Sequence, residues 1–271
     1  MKKENRDYFT LITGASAGIG KALTIEGAKK GWNLALVALP GEDLKEFSES
    51  LEKTYQIKTV FFEIDLTGEK ASQLVYEWCQ NRDIKVGRLI NNAGVGMGDK
   101  FDSLPHEFYE KMMLLNMVSL VSLTRLFLPE LGKCPTAFIL NSGSLAGFFP
   151  SPYKSVYAAS KSFVNMFSLA LREELCQSGI SVSVLCPGSV LTNDAVKRRV
   201  PKNGYFARAA LLSSERVARI ALNKMEKGKA LIIPGFVNKL YYFLGFVFPF
   251  KLRAKFLSKL FRKYYLSGNG N

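Results

Sequence analysis

Tyr157 and Lys161 are four residues apart, so a phenol and an ammonium share one face if the segment is helical. The apolar repeat Tyr157, Val164, Phe167, Leu171, Leu175 predicts that helix. A free tyrosine titrates at roughly 10, and one unit charge at about 4 Å and an effective dielectric near 20 is worth on the order of 4 kcal/mol. The pairing therefore predicts a phenol drawn toward neutral pH, able to exchange a proton with a carbonyl or hydroxyl oxygen. Ser144, at the end of a preceding strand in Asn141-Ser-Gly-Ser144, can hold that same oxygen. Taken alone, Tyr-x-x-x-Lys also describes a surface pair worth a few tenths of a kcal/mol. The elements around it separate the two readings.

Those elements alternate. Residues 8–13 form a β-rich apolar run that breaks into Gly14-Ala-Ser-Ala-Gly18-Ile-Gly20, and a helical period follows through Ala28. At such a junction glycines let backbone approach a ligand, and the helix amino terminus offers unpaired N–H groups to a pyrophosphate. Further strands are predicted at 34–38, 59–64, 88–91, 136–141, 181–186 and 230–233, and helices at 43–55, 70–82, 105–131 and after Val156. Strands alternating with helices of this length imply an α/β fold, a doubly wound parallel sheet with helices on both faces. Ligands bind such sheets beyond the carboxyl ends of the strands. Gly14, Asp65, Asn91, Ser144 and Pro187 each follow a predicted strand end, so they should gather on one rim.

The chain has 271 residues, enough for one large α/β domain, expected over 1–235, with an extension at 236–271. Its cysteines, Cys79, Cys134, Cys176 and Cys186, have no metal-ligand spacing, so no metal site is expected and a reduced, cytoplasmic setting fits. The polar opening Met1-Lys-Lys-Glu-Asn-Arg-Asp does not read as a signal peptide, and His106, next to Pro105, receives no role. Net charge is +14, and seven basic residues with no acid lie from Phe236 onward. After an aromatic run at 241–250, Leu252, Phe256, Leu257, Leu260 and Phe261 recur at helical spacing among Lys251, Arg253, Lys255, Lys259, Arg262 and Lys263. That is the pattern of a basic amphipathic helix, which can lie on the inner face of an anionic membrane, cover its own domain, or meet a second subunit. Nucleic acid is not an expected partner, because the aromatics lie on the apolar face and not among the charges.

With these residues placed, the chain resembles the short-chain dehydrogenase/reductase family over residues 8–233. The motifs are Thr13-Gly-Ala-Ser-Ala-Gly-Ile-Gly20, Asp65, Asn91-Asn-Ala-Gly94, Asn116, Ser144, Tyr157-x-x-x-Lys161, and Pro187-Gly188 with Thr192. The resemblance implies hydride transfer between a nicotinamide cofactor and a carbonyl/alcohol pair. Tyr157 would be the acid in reduction, Lys161 would lower its pKa and hold the nicotinamide ribose, and Asn116 would hold a water feeding the proton relay. Ser142 competes for the serine role, but the family's serine stands thirteen residues before the tyrosine, which selects Ser144. Gly14, Ser16, Ala17, Gly18, Ile19 and Gly20 would hold the pyrophosphate. Asp65 would meet the adenine, Asn91 the adenine ribose side and Thr192 the carboxamide, with Leu66, Ala93, Gly94, Pro187, Gly188, Val190, Tyr157 and Lys161 as further cofactor contacts.

Where an acid would mark NAD and an arginine NADP, this chain has Ala38-Leu39-Pro40-Gly41. The missing carboxylate favours NADP over NAD, with Lys21 as the nearest candidate for the phosphate. The expected partners are an apolar carbonyl or alcohol substrate, such as an oxoacyl chain or a steroid-like ring, and further copies in a homo-oligomer. A lid is expected over residues 191–212. The competing class is a catalytically idle scaffold or membrane-bound regulator, which has no need of a phenol beside an ammonium.

Overall fold

The structure, a computed structural model, describes residues 7–191 and 210–247. Strands β1 (Phe9–Thr13), β2 (Asn33–Ala38), β3 (Thr59–Glu63), β4 (Val86–Asn91), β5 (Ala137–Ser142), β6 (Ile180–Leu185) and β9 (Leu231–Ile232) form one sheet in the order β3-β2-β1-β4-β5-β6-β9. Every neighbouring pair is parallel. The central strands read as continuous apolar runs such as Leu11-Ile12 and Ile139-Leu140 because helices cover both faces and no strand side faces water. Order reverses between β1 and β4, and the crevice above that reversal is where such sheets take ligands.

Helices α1 (Gly18–Lys29), α2 (Leu44–Tyr55) and α7 (Ser214–Glu226) cover one face, burying Leu23, Leu44 and Leu222 against Leu36, Ile90 and Leu140. On the other face α3 (Ala71–Asn81), α5 (Ser119–Leu131) and α6 (Ser155–Glu174) bring Val75, Phe127 and Leu171 onto Leu11, Leu89 and Ile139. A fully buried side chain such as Phe127 is worth roughly 1.5–3 kcal/mol, which fixes which face each helix presents.

The single helix expected at 105–131 is α4 (His106–Met113) running into α5 through a π-helical turn, Leu114–Val118. That turn adds a residue to the helix and swings Asn116 into the protein, where it is buried. At 26 residues, His106–Leu131 is long and apolar enough to cross a membrane, but its Leu123, Phe127 and Leu131 are part of the core. Strand β4 begins two residues earlier than the sequence suggests, because Val86 pairs with Phe9 and Arg88 with Thr10. The last strand is shorter than expected, two residues against β6.

Short strands β7 (Val190–Leu191) and β8 (Leu212–Ser213) pair in parallel at the base of the expected lid. The lid between them, 192–209, lies outside the described residues, and so does Thr192. Past the turn at Gly235 (φ +86°), helix α8 (Phe236–Val247) opens the C-terminal extension. Its buried Asn238 donates to the carbonyls of Pro234 at 2.9 Å and Ala210 at 3.1 Å. Tyr242 packs edge-on against Phe148, with ring centroids 4.8 Å apart, and Gly245 lies against Phe149. The first turns of the extension are thus built into the domain, while 248–271 lies outside the described residues.

Candidate active site

Helix α6 carries Tyr157 and Lys161 on one face, and the short turn Leu145–Phe148 after β5 packs along it. Ser144 caps that turn, its hydroxyl accepting from the Ala146 N–H at 3.1 Å, and its side chain stands close enough to the Tyr157 hydroxyl to draw the phenol's pKa down. The Ser142 hydroxyl is turned elsewhere, donating to Asn92 Oδ1 at 3.2 Å. Of the two serines, Ser144 is the one placed against the phenol.

Lys161 is buried, and its Nζ donates to the Ser142 carbonyl at 2.8 Å while lying 6.0 Å from the centroid of the Tyr157 ring. Burial lowers its pKa to about 8, because water no longer solvates the ammonium. The same burial raises the Tyr157 pKa above its ordinary 10, and the Ser144 side chain only partly offsets this. The phenol near neutrality anticipated from Lys161 is therefore not what the fold builds. Loss of water dominates at both groups, the half-buried phenol and the buried ammonium, and the ammonium is tied to a carbonyl.

Asn116 Oδ1 accepts from the Val95 N–H at 2.9 Å, and its Nδ2 donates to the Val95 carbonyl at 2.9 Å and to Ser160 Oγ at 3.0 Å. Its amide pins the loop after β4, and both amide hydrogens are used within the protein. The glycines of that loop let it touch the catalytic face. A Cβ on Gly94 would lie 3.0 Å from Asn116 Oδ1 and 3.3 Å from Lys161 Nζ, and one on Gly96 would lie 2.5 Å from the Tyr157 ring.

The residues present fit a dinucleotide. Gly14 (φ +63°) brings its Cα side to the Asn92-Ala93 backbone, a Cβ there lying 3.0 Å from Ala93 Cα, and Gly20 leaves no room for a Cβ against the Gly14 carbonyl. The first turn of α1 carries no acid, and its N-cap residue, Ala17, provides no side-chain cap, so those N–H groups and the helix dipole are free for a pyrophosphate. Thr13 Oγ1 accepts from the N–H groups of Asn92 and Ala93, both at 3.0 Å, locking the glycine turn to the loop after β4.

Other expected cofactor residues are committed within the protein. Asn91 is buried, with Nδ2 donating to Thr124 Oγ1 at 3.0 Å and Asn141 Oδ1 at 2.9 Å, while its Oδ1 has no hydrogen-bond partner among the described residues. Leu66 and Ile19 pack into the cores of the two sheet faces. Asp65 Oδ1 accepts from the Thr67 N–H at 2.9 Å and Thr67 Oγ1 at 2.8 Å, bonds that hold its carboxyl below the usual range. The Pro187 carbonyl accepts from the Leu145 N–H at 3.0 Å, Gly188 is approached by Asn238, and Val190 opens β7 against the core.

Three residues were missed in the sequence. Gly96 and Asn165 carried only a spacing signal, a second glycine after Gly94 and a third polar group on the Tyr157 face. Glu42 stands beyond the window normally searched for a ribose ligand, yet Ser16 Oγ donates to its carboxylate. Lys21, the candidate phosphate partner, lies over the Phe47 ring, 4.9 Å from its centroid.

A small hollow adjoins Tyr157. Met97, Leu104, Tyr109, Met112, Tyr153 and Val156 line it, with Asp99, Lys154 and Ser155 as polar members, and its free interior is only about 10 Å³, room for about one water.

A profile of the family described as short chain dehydrogenase matches residues 9–203. Hydroxysteroid dehydrogenase-like protein 1 of Gallus gallus is 31% identical over 225 residues, covering 81% of this chain and 67% of that protein. Very-long-chain 3-oxoacyl-CoA reductase-A of Danio rerio is 32% identical over 191 residues, 68% of this chain and 58% of that protein. The matches therefore span about two thirds or less of these vertebrate relatives. Among solved structures, a short-chain dehydrogenase from Sphingobium yanoikuyae in complex with NADPH superimposes with a TM-score of 0.77 at 28% identity, covering 88% of this chain and 91% of that one. The reversal of strand order, the open helix terminus under Gly14 and the Ser144–Tyr157–Lys161 cluster all agree with these likenesses: the chain belongs to the short-chain dehydrogenase/reductase family of nicotinamide-dependent oxidoreductases.

Proposed function

We propose that the protein reduces a carbonyl on an apolar substrate, with Tyr157 as the proton donor. The observation that carries this reading is the half-buried phenol against Ser144 and Gly96, with the buried Lys161 one helical turn away and burial holding the phenol protonated. Ser144 orients the substrate oxygen, Tyr157 gives it a proton, and Lys161, tied to the Ser142 carbonyl, supplies positive charge beneath. A bound nicotinamide supplies the hydride. Asn116 keeps the loop carrying Gly94 and Gly96 against these groups.

The apolar side chains of Met97, Leu104, Met112 and Val156 beside Tyr157 support an apolar substrate. Relatives are named for very-long-chain 3-oxoacyl-CoA, for a 17-beta-hydroxysteroid and for sulfoacetaldehyde. The lining of Met97, Leu104, Met112 and Val156 favours the first two over a small sulfonated aldehyde. Assaying a 3-oxoacyl thioester, a ketosteroid and sulfoacetaldehyde by loss of reduced-cofactor absorbance tests it. Turnover of the aldehyde alone would overturn the apolar assignment.

NADPH is the proposed cofactor, since no carboxylate occupies 38–41. A second reading, NADH, rests on Glu42, whose carboxylate at Ser16 would repel a ribose phosphate there and can accept from a free hydroxyl.

The exposed side of α8, with Phe236 81%, Phe243 63% and Val247 61% accessible, supports a peripheral membrane location in the cytoplasm. The basic sequence that follows it adds attraction to an anionic leaflet. Exposed Leu114, Val118, Phe163 and Met166 on the helices beside the catalytic face support self-association.

A further inference from the structure

Ser144 stands where β5 has already ended, so its backbone N–H and C=O have left the sheet ladder. Leaving such groups unpaired at that depth is costly: the carbonyl takes the Gly147 N–H at 3.1 Å, and one side chain reaches both groups. Asn165, fully buried on α6, receives the Ser144 N–H on Oδ1 at 3.4 Å and donates from Nδ2 to the Ser144 carbonyl at 3.0 Å. The carboxamide thus meets both backbone groups of one residue, as a neighbouring strand would. Cys186 Sγ donates to the same Oδ1 at 3.2 Å, fixing which end of the amide is the oxygen.

The glycines on either side of Ser144 admit this contact. A Cβ on Gly143 would run into Asn165 Oδ1, and one on Gly147 would lie 2.6 Å from Asn165 Nδ2. Asn165 is four residues beyond Lys161 and eight beyond Tyr157, so all three side chains lie along one stripe of one rigid helix. We propose that Asn165 is a positioning residue, clamping the Ser144 backbone to the helix that carries Tyr157 and so setting the serine-to-phenol distance. This rests on the proposed role of Ser144 and Tyr157 at the substrate oxygen. Two groups that must hold one oxygen together need a common frame, and Asn165 provides it through the 3.0 Å bond to the Ser144 carbonyl, with the longer 3.4 Å contact from the Ser144 N–H beside it.

The test uses the full chain with tyrosine labelled at the ring Cζ carbon. The Tyr157 signal is identified by its loss in Tyr157→Phe, and its chemical shift reports the surroundings of the phenol hydroxyl, Ser144 among them, without any turnover. Asn165→Leu, close in shape, is expected to move that signal in the same direction as Ser144→Ala, with no further movement when the two are combined. Asn165→Asp keeps the acceptor and loses the donor, and is expected to give a smaller movement. It also stands in if the leucine variant does not fold. With a carbonyl substrate, Asn165→Asp should lower kcat by about tenfold to a hundredfold at unchanged KM for the cofactor. A Tyr157 signal that neither Asn165 variant moves overturns the proposal. If the signals move together but no carbonyl is reduced, the clamp stands and the functional reading falls.

Discussion

Lys161 gives its hydrogen bond to the Ser142 carbonyl at 2.8 Å, so the ammonium is anchored to the end of β5 and not to the phenol above it. Its pKa of about 8 lies below the 10.5 of an unfolded chain. Between those values the unfolded state binds more protons than the folded state, so stability rises with pH there, and below about 8 the burial cost is present in full. Melting temperatures of wild type and Lys161→Met from pH 7 to 10 check this. The wild type should gain relative to the variant above pH 8, and a constant difference would contradict it. The cofactor kcat/KM for reduction, which reports the free enzyme, should fall along a limb near pH 8.

Tyr157→Phe removes the transferable proton and leaves the ring on Gly96. Turnover should drop at least ~100-fold while cofactor binding, followed by fluorescence, is retained. Near-normal turnover would remove Tyr157 from the mechanism.

Gly96→Ala tests the closeness of the loop. A methyl group there meets the Tyr157 ring at 2.5 Å, so the ring or the loop must shift, and activity should fall by about 10²-fold with the fold intact by circular dichroism. Gly132→Ala, where the nearest atom is 3.5 Å away, serves as the control and should leave activity unchanged.

Cofactor choice can be read at Glu42. If its carboxylate sets the ribose side, Glu42→Gln strengthens NADPH binding relative to NADH by about tenfold or more, as expected for removing one charge near a phosphate. An unchanged ratio, with NADPH preferred in the wild type, supports the assignment drawn from residues 38–41.

Membrane docking through α8 predicts that Phe236→Glu with Phe243→Glu, both on the exposed side, abolishes sedimentation with anionic vesicles at unchanged melting temperature. Truncation after Gly235 is a different experiment. It removes Asn238 from Pro234 and Ala210 and uncovers Phe148, so it should destabilise the domain itself.

The parallel sheet, the glycine turn and the gathering of Gly14, Ser144 and Pro187 on one rim were legible in the chain, because apolar periodicity and strand-end glycines are local signals. The pairing of Tyr157 with Lys161 on one helix face was legible for the same reason, four residues being about one turn. Their protonation was not. It depends on how much water the folded surroundings remove, and burial reversed the shift expected from charge alone. Asn116 was placed on a helix, but the π turn that swings it toward Val95 answers a tertiary contact. Asn165 and Gly96 carry no more than a spacing signal and Glu42 none, since each acts on a residue brought near only by folding: Ser144 through the α6 crossover, Tyr157 through the loop after β4, and Ser16 across the end of β2. Spacing along the chain determines which groups can face one way, and only tertiary packing decides which partner each one meets and whether water is still there.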